Sequence, residues 1–488
     1  MSHLSSLRFA YAASLAILIF VAVACQTSPE TPSPATPAVS PAPSASPTQP
    51  ARVTPSRTRS GPTATSTPLP GLFVPEQTYR GPLTLVEADL PIGDCEQASP
   101  FDLPADGLIQ VAFVPTQVCF NEEIGLLEIG DRLVVVQGGG YPAAFTLTDV
   151  TEPTQPEFIG AWEWKQLTYT ADVKTFRQGE RWYLVLGMEA PGDRLAGVEP
   201  CGIAIVEVSD PRAPKLIGNT HGQALGSTEH WCNVHTTEVD TDANGDGSYI
   251  LVSSNDTADL RVVDIRDLSR VREVGRYRTS KFETYRNGRP STFVHDTTIV
   301  GDRVYVAYWD GGLIILDKAQ LESGAEVTPL NQPGSIDPDD FDVHHSYPTT
   351  DGNFVFIEDE VDEKRRVFSQ VRLWDIRDLS APKEVFALEL DDPIASPHNL
   401  LVDGDLLYVG WYQEGVRVFR YDVSDPERPI VEPAFAQPVR AKRESGVFGS
   451  PYDGIWGMRV HDCEVEGKAT TCIYASDLTL GLIILALP

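Results

Sequence analysis

TFVHDTTIVGDRVYVAYWDGGLIILDK, residues Thr292–Lys318, reads as three consecutive strands. VHDTTIV runs into the turn Gly301–Asp302. RVYVAYW alternates apolar and polar residues and stops at Asp310–Gly311–Gly312. LIILD returns as a short apolar strand. Alternation bounded by Gly and Asp turns marks antiparallel hairpins.

The unit recurs, most plainly at the end of its third strand. FTLTDVTEPTQP ends at Pro156, IAIVEVSDPRAP at Pro214 and LRVVDIRDLSRV at Val271. VRLWDIRDLSAP ends at Pro382 and VFRYDVSDPERP at Pro429. In each, an apolar strand meets an acidic anchor: Asp149, Glu207, Asp264, Asp317, Asp375 or Asp422. A seventh copy, GLIILALP, has Ala486 in that slot. Successive anchors lie 58, 57, 53, 58, 47 and 64 residues apart. Repeats of this length mean solenoids, propellers or arrays, and four short strands per repeat favour a propeller blade. The turn has a mechanism: Ser and Asp side chains accept backbone N–H groups, and Pro presets φ for the reversal.

GDRVYVAYWDGGLIILD, DGDLLYVGWYQEGVRVFRYDVSDPERP and IAIVEVSDPRAPKLIG resemble LVIVD repeats, a family of secreted bacterial and archaeal β-propeller repeats. The resemblance spans roughly Gly125–Pro488. It implies a fold, since no single activity belongs to the repeat. The fourth copy departs from the pattern at Lys318, where KAQLESG replaces the VSDP-type turn. An unusual outer edge is expected there.

Three segments follow along the chain: 1–25, 26–71 and 72–488. Arg8 and the apolar run Ala12–Ala24 form an export signal too short to span a bilayer. Its end, Val21–Ala22–Val23–Ala24–Cys25, resembles a bacterial lipobox, so Cys25 is the expected lipidation site. An ordinary signal peptide with a chance cysteine is the alternative. Gln26–Pro70 is almost wholly Ser, Thr, Pro and Ala. It has no apolar period with which to bury a core and reads as a disordered tether. The expected location is the outer face of the cell membrane, with lipid as the sole membrane contact. The chain carries a formal net charge of −31, which argues against nucleic-acid binding.

The third segment is expected to be all-β, a seven-bladed propeller of four-stranded blades. Gly107–Thr116, with its strand-like GLIQVAFVPT, supplies the missing fourth strand of blade seven and closes the ring; a small cap is the alternative. Six cysteines remain after Cys25: Cys95, Cys119, Cys201, Cys232, Cys463 and Cys472. An even number in an exported chain suggests disulfides, and six cysteines allow about 15 connectivities. Neighbour pairing, Cys95–Cys119, Cys201–Cys232 and Cys463–Cys472, is the simplest. No CxxC occurs, so a zinc ribbon or redox motif is not supported.

Two constellations bear on chemistry. DTDANGDG, Asp240–Gly247, offers oxygen ligands through Asp240, Asp242, Asn244 and Asp246 with a glycine for the sharp turn, as calcium requires. It resembles the hairpin calcium loop of integrin-type propellers, but Ile250 stands where that loop is usually acidic. A plain hairpin turn is the alternative. The second constellation is histidine. His235, His295, His344, His345, His398 and His461 fall in the first strands of five successive repeats. First strands line a propeller's channel, so equivalent positions converge at one mouth, where imidazoles can bind zinc, copper or iron. Of His344 and His345, alternation sends one inward; His344 aligns with His295. Asp296 and Asp462 are the expected outer partners. The competing reading is histidine hydrogen-bonded between blades.

Two functions follow. One is a binding or scaffold module presenting a channel mouth to an unidentified protein or small molecule. That is the preferred reading; the alternative is a metal-dependent enzyme at the histidine site. No G-x-S-x-G elbow, P-loop or H-E-x-x-H is present.

Overall fold

The computed structural model describes residues 83–85, 99–115, 121–139, 144–163, 169–189, 202–227, 229, 231–279, 293–337, 342–360, 370–390, 395–440 and 453–488. Among the described residues, seven antiparallel sheets follow one another around a ring, with strands in chain order from the axis outward, except that N-terminal strands form the outer edges of blade one (Thr84–Leu85, its fifth strand) and blade seven. The innermost strands are Asn121–Ile129, Tyr169–Gln178, Val234–Thr241, Asp296–Val300, Val343–Pro348, Leu400–Asp403 and Ile455–Val465. Seven apolar clusters fill the ring, each shared by two neighbouring blades. One joins Leu127, Val136 and Phe145 of blade one to Leu184, Leu186 and Val206 of blade two. The last joins Tyr474 and Ile484 of blade seven to Ile124 and Val135 of blade one. No blade buries its own faces alone, so the ring is the folding unit.

Closure follows the sequence. The N-terminal strand Ile109–Pro115 pairs antiparallel with Gly481–Ala486 and is the outermost strand of blade seven. Blade four corrects the expectation of four strands throughout. Its sheet has three, Asp296–Val300, Arg303–Ala307 and Leu313–Asp317, followed by a short helix, Lys318–Glu322. The anchor chemistry explains both outcomes. Asp149, Asp264, Asp375 and Asp422 each accept the backbone N–H two residues on, which turns the chain into a fourth strand. Asp317 instead accepts from Gln320 N at 2.7 Å as a helix N-cap. Without the Asp–Pro, Glu–Pro or Asp–Leu turn that follows the other anchors, the chain continues as helix.

Cys463 and Cys472 form a disulfide, with Cα atoms 5.7 Å apart, across the first hairpin of blade seven. Cys232 is also disulfide-bonded. Cys95, Cys119 and Cys201 lie outside the described residues, as do Cys25, the tether and His230.

Candidate metal centre at the channel mouth

The ladders place the histidines. Pairing each third-strand anchor through the second strand marks one level on the innermost strands. The level falls at Leu127, Phe176, Asp240, Val300, Thr349 and His461 in blades one to five and seven. In blade six the pair Asp403↔Leu406 matches Val300↔Arg303 of blade four, which puts the level at Asp403. Five residues before each level lie Glu122, Ala171, His235, His295, His344, His398 and Trp456. These seven form one tier around the axis. In blades one, two, three, five and seven that position coincides with a register shift in the first hairpin. Such bulges re-aim a side chain, here at the end of the strand that meets the axis.

Four imidazoles of the tier form a continuous arc. Ring centroids are 4.3 Å apart for His235 and His295, 4.0 Å for His295 and His344, and 4.4 Å for His344 and His398. The Nε2 atoms of His235 and His295 are 2.8 Å apart. His295, His344 and Glu360 offer ligand atoms that all lie within 4.8 Å of one another. An ion about 2.1 Å from each donor asks for donor separations near 3–3.5 Å, a closure of little more than an ångström.

Each of three histidines is held by its Nδ1. His235 Nδ1 meets Glu189 Oε1 at 2.9 Å, and Asn255 Nδ2 donates to that oxygen at 2.6 Å. His344 Nδ1 meets Glu358 Oε1. His398 Nδ1 meets the Trp456 carbonyl at 2.7 Å. All three acceptors take an N–H, which fixes that tautomer in a neutral ring and leaves the Nε2 lone pair for an ion. Burial holds His295 and His344 well below the usual histidine range, with their histidine neighbours adding to the effect. Burial takes His398 down to about 3. For His235 burial works the same way, but Glu189 outweighs it and raises the group.

Carboxylates crowd this arc. Glu358 is buried, its Oε2 has no hydrogen-bond partner among the described residues, and burial with Glu360 and Asp359 nearby raises its pKa. Glu360 Oε2 lies 3.8 Å from His344 Nε2, and its Oε1 accepts from Tyr412 Oη at 2.6 Å. Burial raises Glu360 too.

Aromatic rings close the rim. Trp309 stacks on His295 at 4.9 Å, Tyr412 lies 4.8 Å from His398, and Trp456 lies 4.5 Å from it. Trp309 and Tyr412 have positive φ, 48° and 28°, a costly conformation for bulky residues. Both are pinned by a bridge to the next blade's entry, Trp309 to Val343 and Tyr412 to Ile455. Gly454 makes the second bridge possible, since a Cβ there would stand 2.1 Å from the Tyr412 carbonyl carbon.

Two of the expected histidines lie elsewhere. His345 follows the bulge and faces the row below. Its Nδ1 accepts from Leu400 N at 3.1 Å, and its Nε2 lies 3.3 Å from Thr298 Oγ1. His461 is the larger correction. It sits five residues past the tier, with Nε2 3.4 Å from Glu128 at the far end of the axis. Blade seven's first hairpin continues to Val465↔Lys468, which carries His461 beyond the mouth and leaves Trp456 there instead. The outer partners are likewise different. Asp296 is 3.9 Å from His345 Nε2, in the lower row, and Asp462 gives His461 only its carbonyl. Glu189, Glu358 and the Trp456 carbonyl take the roles assigned to those two aspartates.

Below the tier is a buried polar row. Asp172 Oδ1 pairs with Lys174 at 2.5 Å while its Oδ2 accepts from Thr237 N and Oγ1 at 2.6 Å. Arg459 reaches Glu123 at 3.0 Å, and Asn399 donates to the other Glu123 oxygen at 2.6 Å. Burial pushes Asp296 up to about 8, Lys174 partly opposing it.

The DTDANGDG loop is a hairpin turn filled by arginine. Asp242 Oδ1 accepts from Asn244 N and Asp246 N, Arg177 lies 3.3 Å from Asp246, and its guanidinium donates to the Asn244 carbonyl. Asp240 stands apart, paired with Lys318 at 2.7 Å. Arg177 is the cation this turn holds, through Asp246 and the Asn244 carbonyl.

No curated protein sequence matches the chain. Among solved structures, Saccharomyces cerevisiae Sqt1 superimposes with a TM-score of 0.51 at 10% identity, over 78% of this chain and 100% of its own. Pseudomonas aeruginosa periplasmic gluconolactonase, PpgL, gives 0.44 at 11% identity, over 76% and 99%. These likenesses concern the fold alone. The LVIVD repeat model matches residues 245–279 and 294–318, in blades three and four, and the second match includes His295. The protein is a seven-bladed β-propeller that carries LVIVD repeats at residues 245–279 and 294–318.

Proposed function

We propose that this propeller is a metal-dependent enzyme, with a zinc, iron or copper ion at the channel mouth bound by His295, His344 and Glu360 and by His235 and His398 flanking them. One observation carries the reading: three tier histidines have Nδ1 fixed by an outer acceptor, so that Nε2 faces the shared space. A bare histidine stack needs no such brace, whereas metal-bound histidine almost always has one. The charge balance agrees, since buried Glu358 and Glu360 find a divalent cation as their natural counter-charge. The donor set, imidazole and carboxylate without thiolate, suits these three metals. Such an ion supplies Lewis-acid or redox chemistry to a small molecule entering the rim of Trp309, Tyr412 and Trp456. The scaffold reading keeps the outer loops for a protein partner and gives the inward-facing nitrogens no more than the contact between His235 and His295.

The test is metal analysis of the chain from Leu72 onward, purified without a tag. About one transition-metal ion per chain is expected. Glu358→Gln should keep the fold and lower affinity about 10- to 100-fold, since it removes the charge behind His344. Unchanged affinity would show Glu358 to be a structural acid only.

The proposed setting is extracytoplasmic, with lipid on Cys25 and the 26–71 tether lifting the ring from the membrane. No helix among the described residues is long and apolar enough to cross a bilayer. Cys25→Ser should move the protein from the membrane to the soluble fraction or arrest its processing. Membrane retention of a processed variant would contradict the anchor.

A further inference from the structure

We propose that Glu122 is the ligand-facing group of this centre: its carboxyl group hydrogen-bonds the small oxygen- or nitrogen-donor molecule that occupies the ion's open position. The inference rests on the metal reading and adds to it the side from which the ligand is held.

The placement comes from the ladder. Glu122 holds in blade one the slot that His235, His295, His344 and His398 hold in blades three to six. It lies at the same kind of register shift that turns His235 and His344. Between Glu122 and His235 the tier has only Ala171, a methyl group. The ring is therefore filled by imidazoles on one side and left open on the other, with Glu122 at the far edge of the opening. An ion held by the histidine arc turns its free position toward that gap.

The second observation is the state of the side chain. Glu122 is 3% exposed, and its Oε2 has no hydrogen-bond partner among the described residues. Buried polar atoms are nearly always satisfied, and an orphan beside a proposed centre points to an absent ligand. The charged groups around it are Glu189, Asp172 and Glu123, all acidic. With burial, they raise Glu122 well above the usual carboxylate range. A protonated carboxyl donates as well as accepts, and a donor is what a metal-bound oxygen or nitrogen atom needs beside it. The neighbouring acids are engaged otherwise: Glu189 on His235 and Asn255, Asp172 on Lys174 and Thr237, Glu123 on Arg459 and Asn399.

The experiment uses the full chain loaded with Co(II), whose visible spectrum reports added azide. Glu122→Met keeps the side chain's bulk without a polar atom, and Glu122→Gln keeps an N–H donor. Both variants should take up Co(II) with the parent's stoichiometry. Glu122→Met should bind azide at least tenfold more weakly, and Glu122→Gln within about threefold of the parent. Azide binding by the Met variant as tight as the parent's, or tighter, overturns the proposal, and so does a Gln variant that behaves like Met. Loss of Co(II) from the Met variant alone would make Glu122 a metal ligand instead, which also overturns it. A parent chain that takes up no Co(II) removes the metal reading itself, and this inference with it.

Discussion

His295→Ala and His344→Ala should each lower metal affinity about 100-fold, and the double variant about 10,000-fold, so that the purified double variant carries almost no metal. The magnitude comes from dividing about 10–16 kcal/mol of site binding energy over five donors, roughly 2–3 kcal/mol each. His295 and His344 are the pair to change because they stand mid-arc and share the 4.8 Å group with Glu360. Neither removal should unfold the ring. Their rings touch other tier side chains and the rim rather than the interblade clusters. The control is His461→Ala, 34% exposed at the far end of the axis, which should leave metal content unchanged. Chelation gives an independent reading. An ion that binds only the native ring raises its stability by RT ln(1 + [L]/Kd), about 4 kcal/mol at a thousandfold excess over Kd. Stripping the parent should therefore lower its melting temperature by several degrees, and the double variant's should not move. Equal metal content in the parent and the double variant would leave the histidines as a hydrogen-bonded stack. The enzyme reading would then lose its support.

Much of this was legible in the sequence because it is local. Alternation, the Asp-containing turns and the recurring anchors each act within about ten residues, so blades and their order could be read off. The replacement of VSDP by KAQLESG at Lys318 announced the altered edge of blade four, though not that Asp317 would cap a helix. The tier was partly legible. His235, His295, His344 and His398 sit a fixed five residues above one ladder level, and a motif search finds them through the Val or Pro before each. His461 has the same local look, VHD, but the level depends on where its hairpin ends, and that hairpin is longer. Glu122 stayed hidden for the converse reason. It holds the right slot with the wrong residue type, in a chain where acids are common. Glu189 and Glu360 come from the ends of second strands and reach the tier across blades, so no spacing exposes them. Their one signal is a carboxylate following an apolar run, in LVLGMEA and FVFIEDE. Arg177 fills the DTDANGDG turn from 67 residues away, a contact that only the packed ring provides.

Removing the chain through Gln117 should unfold or severely destabilise the domain, while deleting Gln26–Pro70 alone should leave its melting curve nearly unchanged. The strand Ile109–Pro115 is not decoration on blade seven. It pairs with Gly481–Ala486 over six registered positions, and Leu482, Ile483, Ile484 and Leu485 beneath it are at most 1% exposed. Its loss leaves about six backbone groups of that edge unpaired, at roughly 1 kcal/mol each before any packing is counted. Packing adds to this, since Phe113 and Phe101 lie against the core between blades six and seven. Gln110 also donates to Gln437 of blade six at 2.7 Å, and Asp106 bridges Ala436. The sum rivals the roughly 5–15 kcal/mol by which a whole domain is stable. A ring has no slack in which to absorb such a loss, because blade seven also holds blade one through Tyr474 and Ile484 against Ile124 and Val135. The disulfide Cys463–Cys472 lies within one hairpin and cannot replace a strand that joins the two ends of the ring. Thermal unfolding followed by circular dichroism separates the two deletions. If both melt alike, blade seven is stable with three strands, as blade four is. If the longer deletion alone collapses and exposes the 481–486 edge, that edge should drive aggregation, which light scattering would register alongside the melt.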